Sequence, residues 1–407
     1  MSDLEIRVVP ESDIEQMIGI TELVFHTRVK DDERERTLWW FRRMVSYGAY
    51  EGDRLVGQLA VLPERISVPG TDLGCAAVTA VGVLPTHRRR GILTGLMDRL
   101  WSESAAHDWP VAALWASEAV IYGRYGYGNA APCLEVEVET VRPLSLRIEP
   151  DPRPLRLVDP ATAADLLDPI YERYRARRGG GLARDAEWWR RNPLLPVDQD
   201  HPERTEPRVV VLDGEPAGSG GYAIYRTADA DEGATVHLTE LIADTPQIEA
   251  VLWRFLSEID LTRRITCWSR PVDDPLRTIS GNVDQIKASR RHAALWLRLT
   301  DLKAALERRS WSAPVDLVLD VRDDRIAANH GHWRVRASSE GATCERTDEA
   351  ADLTLKTRDL AGAYLSGGVP VATLVRDGLA AEHTFGAARS LDIALTTPYG
   401  PHLLDEF

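Results

Sequence analysis

The segment Val81-Gly82-Val83-Leu84-Pro85-Thr86-His87-Arg88-Arg89-Arg90-Gly91-Ile92-Leu93 sets three arginines and a glycine between an apolar run and an amphipathic one. The run Ala76 to Val83 reads as a buried central strand ending at Pro85. Gly91 to Trp101 reads as a helix with Leu93, Leu96, Met97 and Leu100 on one face. Backbone N–H groups at a helix start have no partner within the helix and, with the helix dipole, attract an anion. Glycine lets the backbone approach closely, successive amides can form a concave nest, and arginines alongside add charge. The pattern is that of a pyrophosphate site. Charge runs are usually solvated surface or a nucleic-acid patch; the position between strand and helix argues for the anion.

Other candidates carry less. His330 and His332 flank Gly331 with no carboxylate motif to complete a metalloprotease, and read as loop histidines. Glu135 and Glu137 alternate with Leu134 and Val136 on a strand, facing solvent or a cationic substrate. No GxSxG or Walker A motif is present. Cys75, Cys133, Cys267 and Cys344 are widely separated and form no CxxC pair. Neither a disulfide framework nor a metal site is expected, and the simplest location is the reducing cytoplasm. Tyr122, Tyr125 and Tyr127 share a glycine-rich stretch in which residue type alone cannot rank them.

The elements around the loop alternate in type. Ile6–Val9 reads as a strand, Asp13 to Phe25 as a helix, Ala49 to Val61 as a hairpin turning at Gly52-Asp53, and Val111–Trp115 as another buried strand. A similar order recurs from about residue 150: strand Arg156–Val158, a helix through Leu166, Leu167, Ile170 and Tyr171, and a hairpin from Arg208–Gly214 through Gly218 to Gly221–Tyr225. Strand His237–Ile242 and helix Ile248 to Leu256 follow, without the Arg/Gly loop. The second stretch therefore reads as a degenerate copy of the first. Beyond residue 300, Val315–Val321, Trp333–Ala337 and Ala351–Leu355 alternate with period two, and broken helical pieces lie between Leu360 and Asp392. The expected fold class is α/β (α+β), in three domains at 1–148, 149–295 and 296–407.

A chain of 407 residues with 44% hydrophobic and 28% charged residues is globular and too long for one core. The net charge of −14 opposes nucleic-acid binding; it serves solubility alone or also favours a cationic small molecule. The acidic start Met1 to Glu5 lacks the basic and apolar parts of a signal peptide, and no stretch is apolar for the length of a membrane span. No membrane association is expected.

The loop resembles motif A of the GCN5-related N-acetyltransferases (GNAT), R/Q-x-x-G-x-G/A, with Arg88, Gly91 and Leu93 at its defined places; Leu93 departs from the usual small residue. Together with Ala116-Ser117-Glu118, Ile121-Tyr122-Gly123-Arg124-Tyr125-Gly126-Tyr127-Gly128 and the terminal Glu406-Phe407, the chain is similar over its whole length to the Eis (enhanced intracellular survival) family. The resemblance implies two tandem GNAT-type domains, the second degenerate, followed by a sterol-carrier-protein-like α+β domain. It implies acetyl-CoA as co-substrate, direct transfer in a ternary complex, and an acceptor amine on an aminoglycoside-like molecule or a lysine side chain. It also implies a homo-oligomer, a hexamer.

Carried onto this chain, the resemblance gives Val81, Gly82 and Val83 backbone contacts to the pantetheine arm. Arg88, Arg89, Arg90, Gly91, Leu93 and Thr94 hold the pyrophosphate, with Ser117 near the coenzyme arm. Tyr122 is the general acid and the carboxylate of Phe407 the general base, while Phe25, Trp39 or Trp40, and Glu406 line the amine pocket. A phenol of pKa near 10 cannot fully protonate a thiolate of pKa about 8.5 cheaply, but it can donate a hydrogen bond as charge develops. A terminal carboxylate near 3.5 is a weak base unless burial raises it or water relays the proton. The alternative is a module without catalysis: an acetyl-CoA sensor, or a lipid carrier using the last domain.

Overall fold

The computed structural model describes residues 4–214, 218–231 and 233–407; the acidic start at 1–3 and the tip of the second hairpin at 215–217 lie outside the described residues. Two compact units form. The first gathers Met1–Ala131, Ala293–Thr397 and Asp405–Phe407; the second gathers Pro132–His292 and Pro398–Leu404.

The chain begins with β1 (Leu4–Val8), α1 (Ile14–Phe25), α2 (Arg34–Arg43), β2 (Val45–Glu51), β3 (Arg54–Val68) and β4 (Thr71–Val83). Then come α3 (Ile92–Ser104), β5 (Val111–Leu114), the single turn α4 (Ala119–Tyr122) and β6 (Gly128–Glu139). The hairpin turn falls at Gly52, whose φ of 64° suits glycine. In the first unit the strands order as β1-β2-β3-β4-β5, with only β4 and β5 parallel. Its core joins Met17 and Ile18 of α1 and Leu96, Met97 and Leu100 of α3 to Tyr47, Leu59 and Val61 of the sheet.

The second unit repeats that plan. It runs β7 (Arg156–Val158), α5 (Pro160–Arg177), α6 (Ala186–Arg191), β8 (Arg208–Leu212), β9 (Gly221–Ala228), β10 (Ala234–Ala243), α7 (Pro246–Ser257), β11 (Thr262–Pro271), α8 (Leu276–Ile279) and β12 (Ile286–Leu299). Strands order as β7-β8-β9-β10-β11-β6, again with one parallel pair, β10–β11. In the first unit the end of β12 lies antiparallel to β5, pairing Trp296 with Leu114. β11 and β12 were not legible in the sequence: charged residues such as Arg263, Arg264, Arg290 and Arg291 interrupt their apolar pattern.

The C-terminal part adds α9 (Leu302–Arg308), β13 (Val315–Arg322), β14 (Gly331–Ser338), β15 (Gly341–Arg346), β16 (Leu353–Lys356), α10 (Thr357–Ala363), α11 (Val371–Arg376), β17 (Ala381–Glu382) and α12 (Ala387–Leu395). Its sheet orders as β15-β14-β13-β16-β17. His332 lies within β14, not in a loop as its glycine neighbour suggests, and its Nδ1 is 2.7 Å from the Glu349 carbonyl oxygen. His330 is in the preceding loop and exposed.

Candidate active site

β4 and β5 pair only at Cys75, Ala76 and Ala77, and β5 then stops at Leu114. β4 continues to Val83, its far edge left without a neighbouring strand. The β3–β4 register slips here: Gln58 faces Gly82 but Ala60 faces Thr79, so Ala80 and Val81 share Leu59. Ala80 takes φ 46°, left-handed backbone that costs a non-glycine residue about 1–2 kcal/mol. Strained bulges of this kind concentrate beside functional sites. Here the strand bends where its edge is open, and the backbone of Val81–Val83 can pair with an extended ligand.

Past Leu84 a 3-10 turn, Pro85–His87, leads into the arginines. The His87 ring is buried, with Nδ1 2.8 Å from the Thr86 hydroxyl and Nε2 3.4 Å from a Glu51 carboxylate oxygen. Arg90 approaches the same carboxylate at 3.7 Å, which ties the loop to the end of β2. Arg88, Arg89 and Arg90 are exposed. Arg89 has φ 63° and Gly91 φ 81°, left-handed backbone of the kind from which concave amide nests are built. Gly91 is the N-cap of α3, and no side chain caps the helix. A Cβ built on Gly91 meets nothing within 4 Å. Uncapped first-turn amides, open space before them and three arginines fit a pyrophosphate.

The equivalent place in the second unit is closed. Thr245 caps α7, its hydroxyl accepting from the Ile248 N–H at 3.3 Å, and Pro246 follows. The carboxylate of Asp244 already sits at that helix start. It pairs with Arg173 at 2.7 Å and Arg177 at 3.3 Å and accepts from the Gly220 N–H at 2.8 Å. One first-turn amide is thus taken by the cap, Pro246 has no N–H to offer, and the carboxylate just before the helix already holds two arginines.

Beyond β5 the chain turns through Trp115 and Ser117 into α4, which ends on Tyr122. The phenol of Tyr122 is buried; burial pushes its pKa up to about 12, against the opposing pull of the nearby exposed Ser117 hydroxyl. Tyr125 is committed elsewhere: its hydroxyl lies 3.1 Å from the Thr94 hydroxyl in the first turn of α3. Tyr127 is fully buried, and burial drives its phenol far up despite the nearby Arg298 guanidinium. Of the three phenols, Tyr122 is the one with an exposed hydroxyl, that of Ser117, nearby.

The chain end comes to the same unit. The indole N–H of Trp115 donates to the Asp405 carbonyl at 2.8 Å, and Phe407 is half-buried while Glu406 is exposed. Phe25 is 41% exposed at the end of α1, where His26 closes the helix with φ 57°. Trp39 and Trp40 lie half-buried on α2 with ring centroids 4.8 Å apart, and the Arg43 guanidinium covers Trp39. Leu93 and Thr94 follow the Gly91 cap in the first turn of α3. Glu135 and Glu137 belong to β6 and pair with Arg290 and Lys287 at 3.7 and 3.6 Å. The Ala80 bulge and the Trp115–Asp405 bond were missed from the sequence. The first hides inside an unbroken apolar run, and the second joins residues 290 positions apart.

Among the described residues no group of His, Cys, Asp and Glu gathers that could hold a metal ion, and no helix is long and apolar enough to cross a membrane.

Comparison with known proteins bears on the same residues. Residues 5–130 and 180–299 each match an acetyltransferase (GNAT) domain, and residues 302–403 match a sterol carrier protein domain. An uncharacterized N-acetyltransferase of Streptomyces coelicolor is 38% identical over 87% of this chain and 86% of its own. N-acetyltransferase Eis of Mycobacterium tuberculosis is 32% identical over 81% of this chain and 80% of its own. The crystal structure of Eis1 from Mycobacterium abscessus superposes with a TM-score of 0.85 at 29% identity, covering all of both chains.

Proposed function

From the premise that this chain belongs to the Eis family of N-acetyltransferases, we propose that it transfers the acetyl group of acetyl-CoA to primary amines of a cationic, aminoglycoside-like small molecule or of a lysine side chain, both substrates being bound at once. The observation that carries this reading is the open N-terminus of α3 beside the open edge of β4. Arg88, Arg89, Arg90, Gly91, Leu93 and Thr94 hold the pyrophosphate; the backbone of Val81, Gly82 and Val83 aligns the pantetheine arm along the strand edge.

Acetyl-CoA supplies an activated acetyl thioester. The chain supplies position and proton control. Tyr122, with a pKa near 12, stays protonated at neutral pH and directs its O–H at developing negative charge, oriented by Ser117. The Phe407 carboxylate accepts the proton of the incoming ammonium. Phe25, Trp39, Trp40 and Glu406 receive the amine, their aromatic faces and carboxylate matching a cation. The net charge of −14 favours the same acceptor. The proposal includes a cytoplasmic homohexamer and domains at 1–148, 149–295 and 296–407.

A lipid-carrier role for the last domain has less support. Part of its interior is taken by the buried guanidinium of Arg309, which donates to the carbonyls of Tyr364 and Leu395, and by Tyr364 itself, whose hydroxyl donates to the Ala305 carbonyl at 2.8 Å. The test is thiol release from acetyl-CoA against aminoglycosides, polyamines, lysine peptides and arylalkylamines, with blanks lacking amine. Turnover on multi-amine antibiotics supports the proposal. Acetyl-CoA binding without turnover on any of them leaves an acceptor outside the panel or a sensor, and uptake of acyl or sterol probes would favour the carrier.

A further inference from the structure

Between Tyr122 and β6 the chain makes a tight turn whose glycines meet other parts of the first unit. Gly126 has φ 86° and donates its N–H to the Gly123 carbonyl at 3.2 Å; the Tyr127 N–H reaches the Tyr122 carbonyl at 3.3 Å. A Cβ built on Gly126 would lie 2.6 Å from Nη1 of Arg298 and 2.7 Å from its Cζ, so the guanidinium lies directly against the turn. Neighbouring glycines make similar approaches. A Cβ on Gly123 would lie 2.9 Å from Arg358 Nη1, and one on Gly128 only 2.0 Å from the Arg358 carbonyl oxygen.

Arg298 is fully buried, and so is its partner. Its Nη2 donates to both oxygens of Asp323, at 2.8 and 2.7 Å, and Nη1 donates to the Thr357 hydroxyl at 2.7 Å. Asp323 is itself fixed by the N–H groups of Arg325 and Ile326, at 3.0 and 2.9 Å. The Tyr127 ring beside the turn meets the Tyr122 ring edge-on, with centroids 6.1 Å apart. A buried ion pair is a poor device for stability alone, because well-packed apolar groups usually serve as well or better. What the pair supplies here is a rigid, oriented plane under one turn.

We infer that Arg298, locked by Asp323 and Thr357, is a positioning residue for Tyr122, acting through Gly126 and Tyr127. On this inference, which rests on Tyr122 being the proton donor, residues of the sterol-carrier-like part set the place of the phenol. Asp323 and Thr357 of that part do so through Arg298 of β12, without touching substrate.

A double-mutant cycle tests it, with acetyl-CoA and an aminoglycoside as substrates. Thr357→Val removes one hydrogen bond and keeps the side-chain volume, so it serves even where Arg298→Lys does not fold. The expected result is a kcat reduced about tenfold with KM for acetyl-CoA within about twofold, and recovery in Thr357→Ser, which restores the hydroxyl. In the Tyr122→Phe background, adding Thr357→Val should cost nothing further. Losses that multiply in the double variant, or a lowered melting temperature with unchanged kcat, overturn the inference. Full activity of Tyr122→Phe alone overturns the acid assignment as well, and so separates failure of that reading from failure of the positioning role.

Discussion

Replacing Gly91 by alanine isolates what the loop does. Its φ of 81° is left-handed, and the space around its Cα is open, so the substitution introduces strain without a clash inside the protein. The strain is about 1–2 kcal/mol. The variant keeps part of it, losing some stability, and sheds the rest by relaxing toward negative φ, which turns the first amides of α3. Each charge-assisted hydrogen bond so lost is worth about 1.5–3 kcal/mol, and one or two of them weaken acetyl-CoA binding by about tenfold or more. The molecule contains its own control. Gly386 caps α12 with φ 85° and ψ −1°, again with nothing within 4 Å of a built Cβ. Gly386→Ala therefore carries the same backbone strain at a helix start with no assigned ligand. Calorimetric titration with acetyl-CoA, beside thermal unfolding, should show both variants slightly less stable and only Gly91→Ala impaired in binding. Equal affinities in the two variants would refute the reasoning.

Tyr122→Phe should lower kcat by about a hundredfold while the acetyl-CoA affinity stays unchanged by calorimetry. Because the folded phenol lies near 12, above its ordinary 10, the proton is retained until pH rises through that range. The wild-type kcat/KM should accordingly climb with amine deprotonation and show no downturn from Tyr122 below about pH 10. Deleting Phe407 alone should abolish turnover and spare acetyl-CoA binding, and extending the chain by one glycine should do the same; retained turnover in either refutes the base assignment. His402 is buried, with Nδ1 2.8 Å from the Tyr174 hydroxyl and Nε2 3.2 Å from that of Ser269. Burial, then Arg178 and Arg270, hold its pKa well below the usual value. Its neutral form stabilises the second unit fully above about pH 6.5, and that contribution is lost as pH falls toward the depressed pKa. His402→Asn should be less stable at pH 7 yet lose less between pH 7 and 5 in thermal unfolding.

Much of this was legible in the sequence where the signal is local. The loop from Val81 to Leu93 announces itself because strand, arginines, glycine and helix are contiguous, and Gly91 takes the helix-start position its type suggests. The degenerate repeat was readable from element order, but the reason for the degeneracy was not. Asp244 and Thr245 look like an ordinary helix entry until the ion pairs to Arg173 and Arg177 are seen. The bulge at Ala80 leaves no trace, since alanine in a run of small apolar residues gives no hint of positive φ. The Trp115–Asp405 bond and the Arg298–Asp323 pair join distant parts of the chain, and a single sequence carries no record of such pairings. His332 misled for the converse reason: the adjacent Gly331 suggests a loop, but that glycine starts β14 with φ 117°.

The central claim is that one helix start, that of α3, holds the coenzyme, and that the matching start of α7 is closed by its own residues. The most direct measurement is the stoichiometry of acetyl-CoA binding to the wild-type chain by calorimetry. One molecule per chain is expected. Two per chain would mean that the Thr245 cap and Asp244 do not close the second unit, and none would mean that Arg88 to Gly91 is not a pyrophosphate site.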